Sequence, residues 1–262
     1  MKKAALITLL SVSIFNLSSG QTLTNKKGQN VLPEAGNFAV GVDVVPIVKY
    51  AGNLFYNGND SISDLSPIGA FTFFGKYVKN EKTAYRAILR LGFITAKQDT
   101  LVPKSSSTNP NELVSDEAKR TQSNIVIGGG IEKRKGSGRV TGIYGVEGRF
   151  VFATDKTKYT YGNPLDVTIQ SNKQVVSDKK GSAFGFGVRG FLGVEYFIGA
   201  KLSLSAEYGW GPAVIAVGRG AVETEVVDGN ATKTQITETS KTFLFGFDND
   251  MNGGTVALIF YF

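Results

Sequence analysis

The chain has no cysteine and no histidine among its 262 residues. The first absence removes disulfides, thiol nucleophiles and the acylation site of a lipoprotein. The second removes imidazole bases and, with the first, the commonest zinc ligands. Beyond the first 20 residues no stretch approaches the ~20 apolar residues of a membrane-spanning helix. Basic residues are in excess, with a formal charge of +7. They are nevertheless scattered, apart from one short run, Lys-Arg-Lys-Gly-Ser-Gly-Arg at 133–139. A nucleic-acid-binding face gathers its cations, so no nucleic-acid partner is expected. No cofactor or metal is expected either.

What is present begins with a basic start at Lys2 and Lys3, an apolar run from Ala4 to Leu17, and small residues Ser18 and Gly20 before Gln21. This is the pattern of a secretory signal peptide over residues 1–20. Residues 21–36 are polar and read as a flexible leader. From 37 to 262 the hydrophobic period is two, the signature of strands.

Eight segments of roughly ten residues carry that alternation. In the first, Phe38, Val40, Val42 and Val44 oppose Ala39, Gly41 and Asp43. In the second, Phe71, Phe73 and Tyr77 oppose Lys76. In the third, Tyr85, Ala87, Leu89, Leu91 and Phe93 oppose Arg86, Arg90 and Gly92. In the fourth, Ile125, Ile127 and Ile131 oppose Asn124, Gly128, Gly130 and Glu132. In the fifth, Tyr144, Val146, Phe150 and Phe152 oppose Thr141, Gly145, Glu147 and Arg149. In the sixth, Phe184, Phe186, Val188, Leu192, Val194 and Tyr196 oppose Gly185, Gly187, Arg189 and Glu195. In the seventh, Leu202, Leu204, Ala206, Tyr208 and Trp210 oppose Ser203, Ser205, Glu207 and Gly209. In the eighth, Val256, Leu258, Phe260 and Phe262 share one face.

The connections alternate between short ones, near 80, 136 and 199, and long ones, about 49–66, 97–121, 154–181 and 212–253. Short turns at one end and long loops at the other are the pattern of an all-β, eight-stranded antiparallel up-and-down transmembrane barrel, with periplasmic turns and extracellular loops. A soluble sandwich or lipocalin-like barrel also alternates, but the polar face here is unusual for a solvated surface. It interleaves glycine and serine with Asp43, Glu132, Glu147, Glu195 and Glu207 and with Lys76, Arg86, Arg90, Arg149 and Arg189. A narrow interior needs small residues beside long ones and buried charges in pairs. Aromatics near strand ends, Tyr77, Tyr196, Phe197, Tyr208, Trp210 and Phe262, read as interfacial girdles.

Gly185 to Gly190 spells G-x-G-x-x-G, the hexapeptide of a dinucleotide-binding turn, and Glu207 follows at a plausible distance. That motif needs a helix after it. Only more strand follows Gly190, so the glycines read as space left inside a barrel.

The signal peptide followed by Gln21, the segment Tyr-Ala-Gly-Asn-Leu-Phe-Tyr-Asn-Gly at 50–58, and the ending Ala-Leu-Ile-Phe-Tyr-Phe resemble the small outer-membrane β-barrel proteins common in Bacteroidetes, of the OmpA/OmpX-like type. The resemblance covers about residues 37–262. It implies the outer membrane of a Gram-negative bacterium, contact with its lipid, and Phe260 and Phe262 as a signal read by the barrel-assembly machinery. It says little about activity.

Enzymatic barrels often place a histidine base beside a nucleophile or water, and this chain has none. A Ser-Lys or carboxylate-only site has no supporting spacing, so the chain reads as a non-enzyme. The 133–139 run reads as a solvated turn. Asp228-Gly229-Asn230 between two alternating runs signals a hairpin, expected to extend the seventh and eighth strands, whose exposed edge suits an extracellular protein partner. Asp60–Ile62 and Asp99–Leu101, in expected outer loops, resemble Bacteroidetes O-glycosylation sites. The resulting expectation is a plugged, charge-paired barrel with a structural or surface-interaction role. The alternative is a porin-like narrow pore or lateral transporter of small solutes, followed by a lipid-modifying enzyme without histidine.

Overall fold

The computed structural model describes residues 23–24, 28, 30–45, 70–109, 111–136, 138–166, 172–229, 231–249 and 254–262. The signal-peptide reading, the 50–58 segment and Asp60–Ile62 lie outside them. Among the described residues there are twelve strands, and the fold is all-β and antiparallel.

The strands are β1 (Phe38–Asp43), β2 (Ala70–Asn80), β3 (Thr83–Pro103), β4 (Leu113–Lys135), β5 (Val140–Thr160), β6 (Lys173–Lys179), β7 (Ala183–Gly199), β8 (Leu202–Val217), β9 (Ala221–Asp228), β10 (Ala231–Glu238), β11 (Thr242–Asn249) and β12 (Thr255–Tyr261). Consecutive pairing runs from β1 through β2, β3 and β4 to β5. It continues to β7, β8 and β12, and β12 pairs β1 again. The hydrogen-bonded path therefore returns to its start. The last residue takes part: Phe262 N–H donates to the Phe38 carbonyl at 2.9 Å, and Phe38 N–H to the Phe262 carbonyl at 3.1 Å.

The expected segments correspond to this ring, but several strands are twice as long as ten residues. β3, β4 and β5 have 21, 23 and 21 residues. Most of the expected loop 97–121 is thus a continuation of the β3–β4 hairpin, closed by residues 104–112, and Asp99–Leu101 lies in β3 rather than in a loop. The Asp228 hairpin forms as β9 and β10, with Gly229 at a φ of 67°. It does not extend the seventh and eighth segments as expected. β9 pairs β6, and β6 pairs the far end of β5. The far end of β8 is taken by β11, along Trp210–Val217, leaving β12 the near end.

Strand alternation sorts the side chains into two faces, since successive residues of a strand point to opposite sides. Phe38, Phe73, Tyr85, Ile127, Tyr144, Leu192 and Trp210 are exposed on the outside, while Lys76, Arg86, Glu132, Glu147, Arg189 and Glu195 are buried inside. Phe197 corrects the girdle assignment. It follows outward-facing Tyr196, so it points inward and is fully buried. With Ala39, Phe74, Val78, Ile88, Ala257, Ile259 and Tyr261 it forms an apolar floor near the short-turn end. The leader belongs to that floor too. Residues 21–36 read as flexible, yet Val31 is 1% exposed within the cluster, with Leu23 and Leu32 packed beside it. Backbone bonds from Val31 N–H to the Leu23 carbonyl (2.7 Å) and from Gly36 N–H to the Val78 carbonyl (2.8 Å) hold it there.

Candidate functional site: an ion-pair lattice inside the ring

Above the apolar floor the interior is charged. Glu195 is the lowest anion. It receives hydrogen bonds from Ser203 Oγ and, at 2.7 Å, from Tyr261 Oη, and it lies 3.3 Å from Lys76 Nζ and 3.4 Å from an Arg134 nitrogen. Lys76 also meets Glu132 at 2.9 Å. One layer up, Arg86 makes a two-pronged contact with Glu207, at 2.8 and 3.0 Å, and reaches Glu147 at 3.2 Å. Its guanidinium lies 4.1 Å from the centroid of the Phe191 ring, a cation–π contact that covers a face no carboxylate reaches. Glu147 then bonds Arg189 at 2.8 Å and Arg149 at 2.6 Å.

The cross-strand register explains how so many long side chains fit. Glu132 pairs with Gly145, and Glu147 pairs with Gly130. Glu207 pairs with Gly193. A Cβ on Gly130 would overlap the Val146 carbonyl oxygen, and one on Gly145 the Ile131 carbonyl oxygen. Each of these glutamates therefore stands against a residue with no side chain. A void of about 10 Å³ lies beside Lys76, Arg86 and Glu207, room for one water at most.

Eight of the ten residues singled out from sequence meet in this lattice. Asp43 is buried, and its Oδ1 accepts the Val45 N–H at 2.9 Å. Arg90 has no ion pair among the described residues, and its Nε has no hydrogen-bond partner. Sequence reading missed Arg134 and Tyr261. Arg134 was assigned to a solvated turn, but β4 runs on to Lys135, and two residues past Glu132 is the same face. That period-two signal was available. Tyr261 sits between outward Phe260 and Phe262, so its inward position was available as well. Arg134 also changes the balance: added to the ten charges singled out from sequence it makes six cations, Lys76, Arg86, Arg90, Arg134, Arg149 and Arg189, against Asp43, Glu132, Glu147, Glu195 and Glu207.

Above the lattice the interior opens into a cavity of about 480 Å³, bordered by Arg90, Arg149, Arg189, Gly185 and Gly187 among others. The first two glycines of the G-x-G-x-x-G hexapeptide thus line a space inside the ring. β7 passes through them as a 17-residue strand, with no helix following.

No family model matches the chain, and no curated protein matches it. The lattice and the cavity above it are therefore read from their own chemistry.

Proposed function

We infer that the ring is an eight-stranded transmembrane barrel in the outer membrane of a Gram-negative bacterium. Its lower lumen is plugged, and its role is structural or one of surface interaction rather than enzymatic. The observation that carries this is the inverted distribution of polarity. Charged side chains with almost no exposure fill the inside, while Phe150 and Leu192, 65% and 66% exposed, stand on the outside with other large apolar groups. Water is a poor solvent for such an outer face, and hydrocarbon a good one.

Aromatic rings at both edges of the apolar band support the reading. At the short-turn edge Phe262, Phe38, Tyr77 and Tyr85 form a run across four neighbouring strands, with centroids 6.5, 5.0 and 6.4 Å apart. At the other edge stand the pairs Phe150–Phe186, Phe152–Phe184 and Trp210–Phe247. From Tyr85 to Phe93 the band covers nine residues of β3, eight steps of ~3.3 Å or roughly 26 Å along the strand. Tilted strands of that length match the apolar band of outer-membrane barrels. The resemblance to OmpA/OmpX-like proteins belongs to the same reading, as does a role for Phe260 and Phe262 in assembly. Beyond the band, β6, β9 and β10 form a strip whose last strand, among the described residues, pairs with β9 alone. Such an edge suits strand addition by an extracellular protein.

The test is twofold. Unboiled protein should fractionate with outer membranes and run differently from boiled protein in a detergent gel. In planar bilayers it should show little steady conductance, because the lattice blocks the lumen. Recovery as a soluble periplasmic protein overturns the barrel. Large stable channels overturn the plug and favour the pore alternative.

A further inference from the structure

The cavity above the lattice differs in chemistry from everything beneath it. Its inner wall is built in rows of directly paired residues. One row runs from Arg90 to Val126, Val151, Gly185, Ile215 and Leu244. The row beneath runs from Arg149 to Gly187, Ala213 and Gly246. Each row thus carries one guanidinium, with Thr72 beyond Arg90 and Gly128 beyond Arg149, and Asn124 is a further polar group bordering a space otherwise lined mostly by aliphatic or small residues. Arg189 lies below them, already bonded to Glu147 and Glu207. Among the described residues Arg90 meets no carboxylate, and its Nε has no partner.

The regular β7–β8 pairing is interrupted beside this space, although the two backbones stay in contact there. β7 and β8 pair continuously down to Gly187–Ala213 and resume at Gly190–Trp210. The two missing pairs are Val188–Pro212, where proline has no N–H to give to the ladder, and the adjacent Arg189–Gly211. Outward-facing residues at that seam, Phe186, Val188 and Pro212, border the same cavity as inward Gly187 and Arg189. An apolar route from the outer face and a cationic end inside are therefore joined in one space.

We propose that this cavity binds an amphiphilic anion of the long-chain carboxylic acid class, with the head group at Arg90 and Arg149 and the acyl chain along the Val126–Val151–Ile215 wall toward the Pro212 seam. The chemistry follows from the lining. A volume of about 480 Å³ lies within the range of small-molecule pockets, which are mostly apolar with a few placed polar groups. Guanidinium forks match a carboxylate in two-pronged geometry. A small hydrated anion gains nothing from the aliphatic rows, and a neutral alkyl chain leaves Arg90 without a counter-charge. The proposal rests on the barrel reading above, since the route to the seam requires lipid outside it.

The experiment measures tritiated palmitate retained by the full mature chain in maltoside micelles, against empty micelles. Hexadecanol and inorganic phosphate serve as competitors. Saturable retention is expected, with hexadecanol at least tenfold weaker as a competitor and phosphate without effect at equal concentration. Arg90→Gln should weaken binding tenfold or more. Gly246→Phe should abolish it, and because a Cβ at Gly246 meets nothing within 4 Å, that variant should keep its fold. The heat-dependent gel shift is recorded for every sample. No saturable retention by a protein that still shifts on heating overturns this proposal and leaves the barrel standing. So does retention unchanged by both substitutions, or displacement by phosphate alone. Loss of the shift in the wild-type chain overturns the barrel reading itself.

Discussion

Arg86 and Arg90 stand four residues apart on β3 and face the same interior, yet their surroundings are opposites. Arg86 is held by Glu207 and Glu147 and stacked on Phe191. Arg90 borders an open cavity and has no ion pair among the described residues. The lower lumen is charge-dense and full; the upper lumen is cationic and hollow. Burial of a charge alone therefore does not describe this interior. What matters is whether a carboxylate from another strand reaches the guanidinium, since the positions paired with Arg86 are Lys76 and Gly130 and its carboxylates come from β5 and β8. Below, glutamates pair across strands with glycines and leave their carboxylates free to reach arginines. Above, Arg90 is paired with Thr72 and Val126, and Arg149 with Gly128 and Gly187.

Substitution at the two arginines breaks or sharpens this contrast most directly. Arg86→Ala should destabilise the ring by up to roughly 3–5 kcal/mol, because Glu207 loses its two-pronged partner and keeps only Arg189 among the described residues, while Glu147 keeps Arg189 and Arg149. Arg90→Ala should change stability little. Both are read from urea unfolding in detergent micelles, and a cost for Arg90→Ala equal to that for Arg86→Ala would erase the distinction. The apolar floor comes next. Val31 is fully buried, so Val31→Asp should forfeit about 1.5–3 kcal/mol of apolar burial and add the cost of an unpaired carboxylate. Protease cleavage between residues 23 and 36 should accelerate in that variant. Unchanged cleavage would mean that the leader does not hold the floor.

The smallest effect belongs to the extension beyond the apolar band. Hydrogen bonds from Arg120 hold the Asp155 carboxyl below its ordinary value, against partial burial. Arg120 itself is half exposed, so solvent screens the pair and Asp155→Asn should cost about 1 kcal/mol or less. Because the folded pKa is the lowered one, the contribution is present above the unfolded value near 4 and fades as pH falls through the folded value. Hydrogen exchange of the β4–β5 extension should show a difference between wild type and Asp155→Asn at neutral pH that vanishes in strong acid. A difference that grows on acidification would contradict the assignment.

Much of this was legible before any coordinates. Period-two alternation placed Glu132, Glu147, Glu195 and Glu207 on one face with Lys76, Arg86 and Arg189, and Phe38, Tyr85 and Leu192 on the other. The errors came where a segment was ended too early or a rule was not carried through. Arg134 was left in a turn because polar residues begin before β4 ends. Phe197 was placed outside although Tyr196 before it already occupied that face. The leader carried no periodic signal, since Val31 is buried by docking rather than by membership of a strand.

The sequence by itself determined which residues face which way, because the alternation of side chains along a strand is a local property of the backbone. It also determined where the short turns fall, since those depend on a few consecutive residues. Only the tertiary structure decided that Glu207 meets Arg86 rather than Arg90, that β9 joins β6 rather than extending β7 and β8, and that a hollow lies beneath Val126 and Ile215. Each of these depends on register between strands distant in the chain. A shift of two residues leaves every side chain on its own face while exchanging all its partners.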